Sequence, residues 1–542
     1  MKTQNSVSGF SRWLLVIFSV ALVSCTFLFA PLGGSSSSRD TANLYEQYLA
    51  GTASGANGLN ADELPPERKM LSVPEIHPTP VSLTVEAETL SVRNPVTVLT
   101  ERSGYSGEGY IGTLPDNSEA AVTVPLHIRA TQHYDITLCA AAKKECENAL
   151  CINGNMISQF SLEGSDTFTK ITFYGIFLED GDNTLTIDGI DGGLDLDYIM
   201  LCNDTSEYRP DFKVTESLCN PDADAETQRL YAFLRDQWGK TILTGQYASD
   251  GSNPELNLIY RITGQLPAIR FGMLGTGDDR AQTDAAIDWS VYTHGIVGLM
   301  WQWNAPGTDS VYTDETDFRL YSALLRKDPA SVAKLTPEQA AAAVKCGALS
   351  KEAQMLLQDI DTVAESLKKL DQMHIPVLWR PLHEAGGGWY WWGASGREAY
   401  QKLWSLLWHR LTDYHQLNNL IWVWNGQSAA YLVPESTYDI AALDVYLQPR
   451  MAFGSRYEQF ISLARITDSK KLLALSECST LPDPEMMKLD ESVWSFFGLW
   501  YGDYLMKPDG SFNDANYSSS DLYNLYNSEL ALSLNDFLSV YE

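Results

Sequence analysis

Tryptophan is missing from position 14 to position 237, and fourteen of the chain's fifteen tryptophans then fall between Trp238 and Trp500. Positive charge is also scarce: 38 Lys and Arg face 69 Asp and Glu, for a net charge of -31. Phosphate-bearing partners would be repelled, which argues against nucleic acid and anionic membrane surfaces and suits a neutral substrate. The eight cysteines form no CxxC pair and no Cys/His cluster, so a zinc site built on thiolates has no ligand set. Long apolar runs are absent beyond the stretch from Trp13 to Ala30.

What remains is a globular composition, 44% hydrophobic and 20% charged over 542 residues, long enough for two or more domains. Residues 1–30 read as an export segment in which Lys2 and Arg12 precede the apolar run. Within it, Leu22-Val23-Ser24-Cys25 resembles the lipobox of bacterial lipoproteins, which would lipidate Cys25. The apolar Thr26-Phe27-Leu28-Phe29 that follows keeps an uncleaved anchor and a simple signal peptide open. All three readings place the rest of the chain outside the cytoplasm, secreted or tethered at the cell surface, with no other membrane contact. In that setting one or two disulfides are expected among Cys139, Cys146, Cys151, Cys202 and Cys219, with the pairing open.

Residues 31–80 are rich in Gly, Ser and Pro and read as a linker with one short helix near Leu44 to Leu49. From 81 to 204 short alternating runs such as Ala120–Val124, Tyr134–Leu138 and Asn183–Ile187 lie between turn signals, the pattern of a β-sandwich. From 205 to 542 apolar strand-like runs alternate with segments of helical period. The strands are expected at Thr241–Gly245, Leu266–Ile269, Ile296–Trp301, Ile375–Trp379, Asn419–Trp424, Ile440–Val445, Leu472–Ser476 and Ser495–Trp500. Eight strands with intervening helices make a (β/α)8 barrel, so the fold class is α/β preceded by an all-β module. The stretch from Pro306 to Ser350 is too long for an ordinary third βα connection and decorates it. The tryptophans suggest a cleft paved with flat apolar surfaces for sugar rings, or an aromatic-rich core.

Active sites of such barrels gather at the C-terminal ends of the strands. Two acids close strands there: Glu384 after the fourth and Glu477 after the seventh. Glycosidic cleavage needs such a pair, one carboxyl protonated for the leaving oxygen and one ionised to attack the anomeric carbon or to activate water.

The run Pro376–Gly393, including Trp379-Arg380-Pro381-Leu382-His383-Glu384, resembles the acid/base segment of glycoside hydrolase family 26, chiefly β-1,4-mannanases. Leu243–Gln246, Asn418–Asn425, Asp444-Val445-Tyr446, Ala474–Glu477 and Phe496–Trp500 extend the likeness. The resemblance implies a retaining double displacement with Glu384 as acid/base and Glu477 as nucleophile, and no cofactor for catalysis. It implies that Arg380 and Tyr446 hydrogen-bond the nucleophile, that His383 orients groups at the cut, and that Trp389 and Trp500 stack on sugar rings. Trp391 and Trp392 are expected to pack in the wall. On the third strand, where many members carry Trp-His, this chain has Trp301-Gln302; both are taken as substrate-binding, with Gln302 bonding a sugar hydroxyl without charge.

Val85–Glu88, Ser103–Tyr110 and Leu194–Ile199 resemble carbohydrate-binding modules of families 35 and 6. That likeness implies a structural Ca2+ held by Glu86, Glu88 and Asp197, whose hard oxygens suit the ion. The expected partner is a β-mannan-type polysaccharide, acted on by a monomer. A mixed-linkage β-glucanase or β-xylanase of the same family, and a non-catalytic surface glycan-binding protein, are the alternatives.

Overall fold

The computed structural model describes residues 81–541 except 93–96, 113–117, 130–131, 179, 192, 204–210 and 325. The export segment with Cys25 and the linker lie outside the described residues, among which no helix is long and apolar enough to cross a membrane.

The N-terminal unit is two packed antiparallel sheets. One orders Val98–Leu99, Tyr110–Ile111, Leu194–Asn203, Gln132–Ala142 and Thr169–Leu178, with Ser82–Glu86 also paired to Leu194–Asn203. The other orders Ser91–Val92, Ser118–Ile128, Gly181–Asp191, Cys146–Ile152 and Asn155–Leu162. Val122, Val124, Leu126 and Ile128 on one face, and Ile136, Leu138 and Ala140 on the other, are buried at the period of two that a half-buried strand requires. The register slips between Leu196 and Tyr198, and this bulge re-aims Asp197, which is 1% exposed.

The expected disulfides do not form: no disulfide joins any of the seven described cysteines. Each thiol has its own surroundings. Cys151 donates to Asp188, Cys146 sits in the core and accepts from Asn148, Cys202 faces Ser82, and Cys219 donates to Asp439. Burial pushes the Cys139 and Cys151 thiols up to about 11, which suppresses the thiolate that exchange requires.

The C-terminal unit is a closed barrel of eight parallel strands, β1 (Gly245–Tyr247), β2 (Ile269–Leu274), β3 (Ile296–Trp301), β4 (Val377–Arg380), β5 (Leu420–Trp424), β6 (Ile440–Val445), β7 (Leu472–Cys478) and β8 (Phe497–Leu499). The first strand departs from expectation. Ile242–Leu243 leaves the barrel to pair with Ala531–Leu532, and β1 begins at Gly245. A Cβ at Gly245 would stand 2.5 Å from the Phe271 ring, and one at Gly298 would stand 2.2 Å from it. The bare backbone of β1 and β3 thus admits a phenylalanine from β2 into the barrel interior. The second strand runs five residues beyond Leu266–Ile269, to the apolar Gly272-Met273-Leu274.

The helices close the outside. In Lys351–Asp371, Leu356, Leu357, Ile360, Val363, Ala364, Leu367 and Leu370 face inward at helical spacing, Ser350 caps the first turn, and Lys368 and Lys369 lie in the last. Residues 306–350 include the short helices Leu320–Ala323, Pro329–Ala333 and Pro337–Lys345, which pack against the outer helices Lys351–Asp371 and Arg397–His409, as the excess length suggests.

Candidate active site

Arg380, the last residue of β4, is 3% exposed and organises the barrel mouth. One of its Nη atoms donates to Glu477 Oε1 and, at 3.0 Å, meets the Tyr247 hydroxyl. The other donates to Asn425 Oδ1 at 2.7 Å and Asp444 Oδ2 at 3.1 Å. A buried guanidinium is tolerable only when its donors and charge are matched, and here two carboxylates match them. Tyr446, at the exit of β6, donates its hydroxyl to Glu477 Oε2 at 2.6 Å.

Glu477 lies within β7 at 4% exposure, where a slip of the ladder against β8 between Leu475 and Cys478 accompanies the strand's turn at the site. Glu384 is not the end of its strand: β4 stops at Arg380, and the acid stands four residues further on. Leu382 at φ 52° and Glu384 at φ 51° both take the left-handed conformation, rare for residues with a Cβ. The turn is held by Glu384 N donating to Asn425 O at 2.8 Å and Gly386 N to Gly426 O at 2.9 Å.

Asp444 is the acid that sequence reasoning missed as a site residue, although its Asp-Val-Tyr motif was visible. One carboxylate oxygen from each of Glu384, Asp444 and Glu477 lies within 4.8 Å of the others. Such a trio could by geometry hold a divalent cation, but Arg380 already binds two of the three. Burial raises all three acids, Asp444 and Glu477 to about 7, and their mutual repulsion adds to it. Against this, Arg380 and Tyr446 stabilise charge on Glu477. Asp444 and Glu384 lie close enough that the two carboxyls titrate as a coupled pair. Their interaction raises Asp444 and lowers Glu384, while Arg380 and the Ser476 hydroxyl, 2.6 Å from Asp444 Oδ1, pull Asp444 back towards the charged form.

The remaining expected residues divide. Trp389 is 46% exposed beside Glu384, whose pKa its indole helps to lower, and Tyr446 is 43% exposed. Trp500 is half-buried against Tyr247, ring centroids 4.7 Å apart. His383 is 2% exposed between Tyr390 and Trp392; burial, then Arg380, hold its pKa well below the usual imidazole range, so it is neutral. Gln302 brings a buried Oε1 with no hydrogen-bond partner, and so does the His383 Nδ1.

Trp301 is corrected: at 4% exposure it stacks on Trp303, centroids 4.1 Å apart, and packs the wall instead of presenting a face. Trp391 and Trp392 are buried. Most of the tryptophan cluster is core, with Trp289, Trp379, Trp404, Trp422, Trp424 and Trp494 fully buried. An indole needs only one hydrogen-bond acceptor, and carbonyls just past the strand ends supply it for two of them: Trp391 donates to Trp303 O and Trp392 to His383 O, whereas Trp379 and Trp422 Nε1 are buried without one.

In the sandwich, Glu86, Glu88 and Asp197 converge on one loop. Ser106 Oγ donates to Glu86 Oε2 at 2.7 Å, Ser106 N to Asp197 Oδ1 at 2.8 Å, and Glu108 N to Glu88 Oε1 at 2.8 Å. Gly107 is essential there, since a Cβ would fall 2.2 Å from Glu88 Oε1. Glu88 Oε2 and Asp197 Oδ2 are buried without a hydrogen-bond partner. The two orphaned oxygens, with Glu86 beside them, suit a hard cation such as Ca2+ in chemistry, although the three acids do not bring one oxygen each to within 4.8 Å of the others.

A (β/α)8 barrel whose fourth and seventh strands bring two glutamates together over a buried arginine is the catalytic domain of a glycoside hydrolase. The glycosyl hydrolase family 26 model matches residues 219–532, and the family 35 carbohydrate-binding module model matches residues 83–203. The chain belongs to glycosyl hydrolase family 26 and carries a family 35 module. It is 33% identical to a mannan endo-1,4-β-mannosidase of Thermothelomyces thermophilus over 91% of this chain and 98% of that protein. It is 30% identical to mannan endo-1,4-β-mannosidase A of Piromyces sp. over 82% of this chain and 71% of that protein. The crystal structure of the Podospora anserina GH26-CBM35 β-(1,4)-mannanase superposes with a TM-score of 0.55 at 30% identity, covering 85% of this chain and 99% of that one.

Proposed function

We propose that the protein is a retaining endo-β-1,4-mannanase in which Glu384 is the acid/base and Glu477 the nucleophile. The carrying observation is the trio Glu384, Asp444 and Glu477, with an oxygen of each within 4.8 Å of the others around Arg380. That closeness suits direct attack, because an inverting pair needs a wider gap to seat a water. The relatives named above, similar over almost the whole chain, support mannan as the substrate.

In the first step Glu477 attacks the anomeric carbon while Glu384 gives its proton to the departing glycosidic oxygen. A glycosyl ester forms on Glu477 as the carbon–oxygen bond breaks. Tyr446 and Arg380 hold the ionised nucleophile and receive it again when it leaves. Asp444, close beside Glu384 and bonded to Arg380 and Ser476, tunes how readily that acid gives up its proton. In the second step Glu384 takes a proton from water, which displaces Glu477 with the sugar's configuration restored. Trp389 and Trp500 supply stacking surfaces beside the cut. His383 and Gln302, whose Nδ1 and Oε1 are buried without partners, orient the groups beside the cut.

Glu86, Glu88 and Asp197 would hold a structural Ca2+, whose charge would fix the Ser106–Glu108 loop of the module. The module binds the same polysaccharide. A polymeric substrate and the apolar run from Trp13 to Ala30 support a position outside the cytoplasm.

Reducing-sugar release from galactomannan, compared with barley β-glucan, tests the substrate, and NMR of the first-formed anomer tests retention. Preferential galactomannan cleavage with a β-configured first product is expected. Release from no β-glycan by the folded protein would overturn the reading.

A further inference from the structure

The decorated third βα connection reaches the acid's side of the barrel mouth. Tyr312 in this segment forms an antiparallel bridge with Tyr390, and two backbone bonds flank it: Thr313 N to Trp389 O at 2.8 Å and Trp391 N to Val311 O at 3.1 Å. The insertion is therefore stitched to the very residues that follow Glu384. Its own geometry is fixed as well: Ser310 Oγ donates to Glu315 at 2.6 Å and accepts from Tyr312 N at 3.2 Å.

The rings continue this pairing. Tyr312 stacks on Tyr390, centroids 5.8 Å apart at 21°, and Tyr390 stacks on Trp392 at 4.4 Å and 23°. Tyr390 in turn stands edge-on to Trp389 at 6.1 Å. Trp392 is fully buried, whereas Tyr312 is 47% exposed, as open as Trp389 at 46%. A stack of flat rings thus begins in the core and ends in solvent with one face uncovered. An exposed tyrosine is ordinary by itself; one clamped at a catalytic rim and continuous with a stack beside the acid is not.

We infer that Tyr312 is a sugar-binding platform, a subsite for a pyranose ring of the polysaccharide beyond the two rings that flank the scissile bond. The ring offers an apolar face to the C–H face of a hexose, and its fixed backbone means little ordering is needed on binding. The insertion thereby becomes a device for preferring long chains over short ones. This inference rests on the polysaccharide-cleaving reading above.

The test is the kinetics of Tyr312→Ala and Tyr312→Phe, made in the full chain, on linear manno-oligosaccharides of increasing length. For Tyr312→Ala, kcat/KM on the longest oligosaccharides should fall about tenfold through KM, and on the shortest substrate cleaved by less than about twofold. Tyr312→Phe should keep most of the long-chain preference, because the ring and not the hydroxyl does the binding. An equal loss at every length accompanied by a lower melting temperature would make Tyr312 a structural wedge and overturn the subsite. So would no loss at any length. A wild type that cuts β-glucan and not mannan would defeat the substrate reading alone, and the same length rule would then be read on cello-oligosaccharides.

Discussion

The Tyr446 hydroxyl lies 2.6 Å from Glu477 Oε2, and Tyr446 is 43% exposed while Glu477 is 4% exposed. A surface phenol thus reaches down to a buried carboxylate. In the proposed double displacement it is the donor most easily lost when substrate enters and Glu477 forms its ester, and it must be regained as the ester breaks.

Tyr446→Phe removes that donor and leaves the ring. Turnover should fall by about two orders of magnitude with the melting temperature nearly unchanged, the scale seen when one donor to a developing or departing oxyanion is deleted. Steady-state kinetics alongside thermal denaturation checks it.

Glu384 carries a pKa raised first by burial and then by the Glu477 charge. The folded chain therefore holds this proton above the pH at which the unfolded chain has lost it, so the group costs stability as pH rises through the unfolded value, about 4.3. Glu384→Gln removes this cost. The variant should melt higher than the wild type at pH 7, and the margin should shrink towards pH 4. A margin that grows on acidification would reverse the sign of the argument.

Trp301 and Trp389 predict opposite phenotypes. Trp301→Ala empties a buried wall position and should destabilise the barrel by about 3–5 kcal/mol. Trp389→Ala removes an exposed ring beside Glu384, and should raise KM and lower kcat with little change in stability. Denaturant titration of both variants, paired with kinetics, separates them.

Chelation offers a test of the module. With three carboxylates gathered around Ser106, removal of Ca2+ by EDTA should lower the melting of the sandwich and leave the barrel's own transition in place. Added Ca2+ should reverse it, and Glu88→Gln should blunt the response. Two-transition calorimetry of the full chain is the measurement; a thermogram indifferent to EDTA and Ca2+ would remove the cation.

Much of the barrel was legible because β3, β6 and β7 are short continuous apolar runs, which parallel strands buried on both faces must be. β1 was misplaced for the same reason: Ile242-Leu243 is as apolar as any barrel strand, but its partner, Ala531-Leu532, lies almost three hundred residues away. Only the folded chain shows which apolar pair closes the barrel and which packs beneath it.

At the site, Glu384 and Glu477 could be picked from sequence because strand ends and family motifs mark them. Local pattern alone determined those two acids, the two-unit organisation, and the net charge that restricts partners. Tertiary structure decided the rest: that Asp444 joins the acids, that Trp301 is wall and Trp389 is surface, that the cysteines stay apart, and that Tyr312 stands at the rim. The physical reason is that burial, and the meeting of groups distant in sequence, depend on how the strands close. A carboxylate's proton and a ring's free face are set by those neighbours, not by the residue's own place in the chain.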